Sequence, residues 1–425
     1  MARSLIVSVL IAVMIAGCGG PLGGVSDAIR LIVFGEPEEL RAYRNLIAAF
    51  SEEEPGIRVQ LIEASDRADL LARLSTSFAG RNPPDLFLLN YRFYGQFAAR
   101  GVLEPLEDRV DASDAFTQED FYPQALDAFR WEGTLTCLPQ NISSLVVYYN
   151  RDLFTNAGIP EPEDDWAWAE MVARAIELTK DGDGDGTPEQ YGIGLEPSII
   201  RLAPFVWSNG GEVVDDDENP TGLTLGSPEA LQAMAEFFRL GRELQVIPSE
   251  LEREAEDEES RFQNGRLAML LSSRRSTPTF RTITDFDWDI APLPRFREPA
   301  GILHSDAYCM TRASDRQDDA WRFLEFALGP EGQRITARSG RTVPSLRSVA
   351  ESEAFLDPSK PPSRSRIFLD TIPFIRHVPS ISTWPEIEDT TESIIEFGLY
   401  DDVPAPEIAQ RLFNATRPLF ERAEQ

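Results

Sequence analysis

Ile29-Arg-Leu-Ile-Val-Phe34 is an apolar run that Gly35 stops, and the residues that follow it decide the fold. The run reads as a buried strand. After it, Leu40, Tyr43, Leu46, Ile47 and Phe50 recur at helical spacing, with Pro37 near the start and Pro55-Gly56 closing the segment. Ile57, Val59 and Leu61 then alternate as a second strand, which completes a βαβ unit. The pattern repeats at once: Leu70, Leu71, Leu74 and Phe78 mark a helix, Pro83-Pro84 breaks it, and Leu86 to Leu89 is a third buried strand. Alternation of this kind predicts a parallel sheet with helices on both faces.

Farther along, Leu145 to Tyr149 reads as another strand, and Trp168, Met171, Val172, Ala175 and Ile176 as the inner face of a helix. Ser227-Pro228-Glu229 opens a helix that runs to about Leu244, with an N-cap, a first-turn proline and a first-turn acid. Leu267 to Leu271 is a strand, Trp321 to Leu328 a helix and Pro358 to Pro362 a loop. The acidic stretch Glu250 to Glu259 reads as a solvated helical face or loop without a function. A chain of 425 residues is too long for one ordinary core and suits two lobes of about 200.

The N-terminus sets the compartment. Met1-Ala2-Arg3 precedes an apolar stretch from Leu5 to Ala16 that ends at Gly17 and Cys18. This is shorter than the ~20 residues a spanning helix needs, so residues 1–17 are expected to be a removable signal peptide. Ile15-Ala16-Gly17-Cys18 resembles the bacterial lipobox, which implies that Cys18 is lipidated and that residues 18–28 form a flexible leash. The expected location is extracytoplasmic, in the periplasm or on the outer face of the cell membrane.

Composition excludes several functions. The net charge is −31, from 71 acids against 40 bases, and Lys180 and Lys360 are the only lysines. No basic footprint exists for nucleic acid. Only His304 and His377 occur, which argues against a histidine-rich metal site. No Gly-x-Ser-x-Gly elbow is present, and neither lysine lies in a phosphate loop. Carboxylate pairs for glycoside hydrolysis stay open, because their separation is invisible in sequence. Cys137 and Cys309 either pair, if their Cα atoms lie within about 7 Å, or are two separate buried thiols.

Several stretches together resemble one family, the bacterial extracellular solute-binding proteins of the maltose-binding type. They are Pro84-Asp-Leu-Phe-Leu-Leu89, Gly101-Val-Leu-Glu-Pro-Leu106, Leu138-Pro139 followed by Val147-Tyr-Tyr-Asn-Arg-Asp-Leu-Phe154 and Ala157-Gly-Ile-Pro160, and Trp207-Ser-Asn-Gly-Gly211. Phe262-Gln-Asn-Gly-Arg-Leu-Ala-Met269, Ala291-Pro-Leu-Pro294, Ala320-Trp-Arg-Phe-Leu-Glu-Phe326 and Thr342-Val-Pro-Ser345 follow in family order. The resemblance implies an α/β, two-lobed periplasmic-binding-protein fold (type II) with mixed, mainly parallel sheets flanked by helices. It implies a hinge of three crossings, near Pro139 to Ser143, His304 to Tyr308 and Val343 to Leu346. Lobe 1 would be 29–139 plus 309–343, and lobe 2 would be 143–304 plus 346–425. Cys137 and Cys309 lie beside the first two crossings, which strengthens the expectation of a disulfide. The implied function is capture of a carbohydrate by hinge closure and delivery to the permease subunits of an ABC importer, by a monomer without enzymatic activity or cofactor. A lipid-anchored hydrolase or lyase, or a ligand-presenting component of a sensor, are the alternatives.

Ligands of α/β sheets sit beyond the carboxyl ends of the strands. That rule selects Glu36 after the first strand and Asn90, Tyr91 and Arg92 after the third, where the family commonly places sugar contacts. It also selects Arg274 and Arg275 after the Leu267 strand; further candidates are Ser143 and Ser144 after the first crossing, Asp306 and Tyr308 at the second, Arg341 just before the third, Trp207 and Asn209 before the Gly210-Gly211 turn, and Trp384 in the C-terminal segment. A sugar offers a C–H face that stacks on a ring and hydroxyls that bind carboxylates, amides and guanidinium forks. Each aromatic could instead fill the core. Arg274-Arg275 is either a solvated pair or, if both face the cleft, a reason to expect an anionic sugar. Asp181, Asp183, Asp185, Thr187 and Glu189 resemble a calcium loop, although its twelfth position is Gly192, so that Glu189 would have to substitute. The other reading is an acidic turn before the Tyr191 strand.

Overall fold

The computed structural model describes residues 28–423, so the expected signal peptide, Cys18 and all but the last residue of the expected leash lie outside the described residues. β1 (Ala28–Phe34) pairs in parallel with β2 (Arg58–Ala64) along its whole length, from Ala28 opposite Arg58 to Phe34 opposite Ala64. The crossover is α1 (Pro37–Glu53), which starts on a proline, places Glu38 and Glu39 in its first turn and buries Ala42, Tyr43, Leu46 and Phe50. α2 (Arg67–Ala79) is capped by Asp66, whose carboxylate accepts from the Asp69 amide. β3 (Leu86–Asn90) lies parallel to β1 and runs straight into α3 (Tyr91–Ala98), with Asn90 accepting from the Arg92 amide. Three strand ends and three helix starts therefore meet along one edge.

This first sheet has the order β2, β1, β3, Asp306–Met310, Cys137–Pro139. The second holds Trp288–Ala291, Val146–Asn150, Leu267–Ser272 and Tyr191–Gly194, in that order. Both sheets are mixed, but antiparallel pairings are more frequent than the mainly parallel expectation. Asp306–Met310 runs against both of its neighbours, and Val146–Asn150 against both of its own. The reason is topological. Asp306–Met310 enters its sheet from the other one, and Val146–Asn150 leaves the crossing in the same way, so neither arrives through a helical crossover.

Three segments carry the chain between the sheets, and they bond to one another. Ser143 and His304 exchange both backbone hydrogen bonds, at 2.9 and 2.8 Å, and the Ile142 amide donates to the Val343 carbonyl at 2.9 Å. Beside them Cys137 and Cys309 are direct partners across two antiparallel strands and form a disulfide, with Cα atoms 4.3 Å apart. The helix Trp384–Tyr400 packs on Pro228–Arg242 and Ala405–Ala423, and also reaches α3. Gly95 of α3 is tightly apposed to the backbone of Ser380 and Ile381, where any Cβ would collide. The acidic stretch forms two short helices, Glu250–Ala255 and Glu258–Gln263, and Glu258 is buried.

Candidate functional site

A cavity of about 600 Å³ lies between the two sheets, against the crossing segments. The first lobe contributes the turn Phe34–Glu36, Glu39, the start of α2 from Ser65 to Arg67, and Asn90, Arg92 and Phe93. The crossings contribute Asn141, Ser143, His304, Asp306 and 341–343. The second lobe contributes Glu196, 198–201, Arg253 and 273–275, with Glu388, Asp389 and Glu392 from the C-terminal region.

A chain of hydrogen bonds forms its floor. Trp384 Nε1 donates to Glu388 at 2.7 Å, and Arg92 Nη1 donates to the other oxygen of that carboxylate at 2.6 Å. Arg92 Nε reaches Asn90 at 3.1 Å, and Asn90 and Asn141 both donate to Asp306, at 3.0 and 3.3 Å. Beside this, Tyr43 donates to Glu39 at 2.9 Å and Arg341 approaches Glu39 at 2.5 Å. Gly35 makes room for that carboxyl, since a Cβ there would strike it. Opposite, Arg201 pairs with Glu196 at 2.8 Å, and Arg253 pairs with Glu258 and, at 2.8 Å, with Glu396. The acidic stretch thus supplies Arg253 to the cavity wall, where the sequence suggested no role.

Burial in this crowded setting moves several ionisations. Desolvation lifts Glu39 to about 7 although Arg341 opposes it. Burial, reinforced by Arg201 and Arg92, holds His304 well below the usual imidazole range, so the ring is neutral. Burial also pushes Arg274 down to about 9. Its guanidinium is sandwiched 4.8 and 5.2 Å from the rings of Phe355 and Phe368 and donates to the Gly340 carbonyl and Ser365.

Of the residues selected from sequence, Glu36, Asn90, Arg92, Ser143, Arg274, Arg275, Asp306 and Arg341 line the cavity. The other six do not. Tyr91 is adjacent to Arg92 on a helix, where neighbouring positions point about 100° apart, and its ring goes into the core edge-on to His377. Tyr308 is buried and takes a hydrogen bond from Gln140. Ser144 accepts from the Ile302 amide and Asn209 donates to the Glu229 carbonyl, so both are spent on local structure. Trp207 is covered by the guanidinium of Arg376 at 4.8 Å. Trp384 is fully buried and orients Glu388 rather than stacking on a ligand. Among the described residues the aromatic lining is therefore Phe34 and Phe93 alone, with no Trp or Tyr platform.

Sequence reasoning missed Glu39, Arg67, Glu196, Arg201 and Glu388. The strand-end rule reaches Arg67 and Glu196, had it been applied to the strands ending at Ala64 and Gly194 as well. Glu388 lies mid-helix and gives no local signal.

In the acidic loop, carboxylate oxygens of Asp181, Asp183 and Glu189 lie within 4.8 Å of one another, and Asp185 is outside that group. The loop's own amides occupy these carboxylates: Gly184 and Gly186 donate to Asp181, Asp185 to Asp183, and Gly182 to Glu189.

A binding protein of Brucella abortus is 26% identical over 359 residues, 82% of each chain. The galactooligosaccharide-binding protein of Bacillus subtilis is 20% identical over 402 residues, 91% of this chain and 89% of the other. Among solved structures, the ABC substrate-binding protein Lmo0181 of Listeria monocytogenes, in complex with cycloalternan, superposes with a TM-score of 0.82 at 24% identity, covering 93% of this chain and 98% of that one. The family model described as bacterial extracellular solute-binding protein matches residues 35–334. With a two-sheet architecture, three bonded crossing segments and a polar cavity between the lobes, the chain belongs to the bacterial extracellular solute-binding protein family.

Proposed function

We propose that this protein captures a small, hydroxyl-rich solute of the carbohydrate class outside the cytoplasm by closing its two lobes, and hands it unaltered to the permease of an ABC importer. The observation that carries this reading is the cavity itself. It lies between two sheets linked by short crossing segments, and carboxylates, amides and guanidinium groups from both lobes line it. Such groups suit hydroxyls, and a volume of about 600 Å³ suits a mono- or disaccharide-sized guest. A few dihedrals in the crossings would absorb closure while each sheet moves as a body. The names of its relatives, binding proteins rather than enzymes, support a role without chemistry. The lobes assigned from sequence, 29–139 plus 309–343 and 143–304 plus 346–425, are the two moving bodies of this mechanism.

Calorimetric titration of the processed chain against mono- and disaccharides and polyols tests the reading. Stoichiometric binding is expected, with a smaller radius of gyration by X-ray scattering and ligand recovered chemically intact. Hydrolysed ligand, or binding without compaction, would contradict it. Anchoring through Cys18 belongs to the same proposal. Cys18→Ser should move the protein from the membrane fraction to the soluble one, and an unchanged distribution would remove the anchor.

A further inference from the structure

Two arginines of the cavity lining, Arg67 and Arg274, form no ion pair among the described residues; Arg274 spends its donors on the Gly340 carbonyl and Ser365, whereas Asp306 and Glu388 act on Arg67 only from a distance. Arg67, at the first position of α2, has its guanidinium 5.7 and 5.2 Å from the ring centroids of Phe34 and Phe93. Its Nε is buried without a hydrogen-bond partner, and no carboxylate pairs with it among the described residues. Every inward carboxylate described above is already engaged by an arginine or by two amides. The remaining acids of the lining, among them Glu36 and Asp66, are exposed at the rim and solvated.

The facing lobe offers a second fork that is held only by two long ion pairs. Arg275 lines the same cavity, and its nearest carboxylate oxygens, on Glu259 and Glu196, stand at 3.6 and 3.7 Å, beyond hydrogen-bond distance. A half-buried guanidinium with a buried, unsatisfied Nε carries a desolvation cost that a ligand anion at the cavity side of the group offsets. Two aromatic rings hold Arg67 in place, so little side-chain freedom is lost when it binds. A neutral sugar would cover that charge without pairing it.

We infer that the solute carries an anionic group, phosphate or carboxylate, beside its hydroxyls, and that Arg67 of the first lobe and Arg275 of the second clamp this group when the lobes close. The inference rests on the solute-binding reading and names the chemical class of its ligand.

The test is titration of the processed chain with three matched series: glycerol and glucose, glycerol 3-phosphate and glucose 6-phosphate, and glucuronate. At least one anionic series is expected to bind at least about 10-fold more tightly than the neutral parents, with affinity falling as salt rises. The phosphorylated and carboxylated arms separate the two sources of charge. Arg67→Met should weaken the anionic ligand about 10- to 100-fold while leaving the ligand-free melting temperature equal or higher, because no ion pair is lost. Arg67→Lys should recover part of the affinity. Neutral parents that bind as tightly as their anionic partners, or an Arg67→Met variant that binds the anion undiminished, overturn the anion clamp and leave solute binding standing. No binding by any member of the three series overturns both.

Discussion

Glu39, buried at the start of α1, is held 2.5 Å from the guanidinium of Arg341 in the third crossing segment, and Arg341 also donates at 3.4 Å to the carbonyl of Arg275 in the second lobe. One side chain thus ties a crossing to both walls of the cavity. Removing either partner would leave the other buried without its counter-charge.

Stability should depend on pH through this carboxyl. Its pKa rises on folding from 4.5 to about 7 because burial outweighs the pull of Arg341. A raised folded-state value means the native state binds the proton first. The group's contribution is therefore complete below about pH 4.5 and is lost as pH climbs through about 7. Melting curves of the wild type and Glu39→Gln, compared from about pH 5 to about pH 8, should show the wild type losing up to about 3 kcal/mol relative to the variant as pH rises. Parallel curves would refute this.

Glu388 should be worth more than one hydrogen bond. It accepts from Trp384 and Arg92 at once, and Arg92 in turn holds Asn90. Glu388→Gln is expected to cost about 1–3 kcal/mol, since it leaves the Arg92 charge uncompensated in a largely buried place, and Trp384→Phe about 1 kcal/mol. The double variant should cost less than the sum, as measured by chemical denaturation. Strict additivity would show that the two side chains act independently.

The disulfide between Cys137 and Cys309 closes a loop of 172 residues beside two of the crossings. Cys137→Ala with Cys309→Ala should lower stability by about 2–5 kcal/mol. Under non-reducing conditions the denatured wild type should resist alkylation at both positions, as read by mass spectrometry. Two alkylated cysteines in the oxidised protein would contradict the pairing.

Gly95 should tolerate no side chain. The carbonyls of Ser380 and Ile381 occupy the space where its Cβ would stand, so α3 and the segment leading into the C-terminal helices would have to separate. Gly95→Ala is expected to cost about 1–3 kcal/mol in a denaturant titration. Gly101, with open space around it but φ at +63°, should lose about 1 kcal/mol on the same change through backbone strain alone.

Much of the frame was legible in the sequence, because burial writes itself into local patterns. The apolar run of β1, the helical spacing of Tyr43, Leu46 and Phe50, and the alternation in β2 each report a face turned to the core, and the structure places all of them there. Strand ends likewise announced Asn90, Arg92 and Arg275 as lining residues, and the second crossing announced Asp306. What the sequence by itself determined was the type and order of the elements, and the edge of the sheet along which polar residues gather.

Tertiary structure alone decided which of those residues point inward and what each one meets. Tyr91 and Arg92 are neighbours in the chain, yet the turn of one helix sends the first to the core and the second to the cavity. Glu388 meets Arg92 across 296 positions of sequence, and Arg67 has no carboxylate partner among the described residues. A side chain's charge is local information, whereas its partner, its exposure to water and hence its ionisation depend on distances that only the closed packing of two lobes sets.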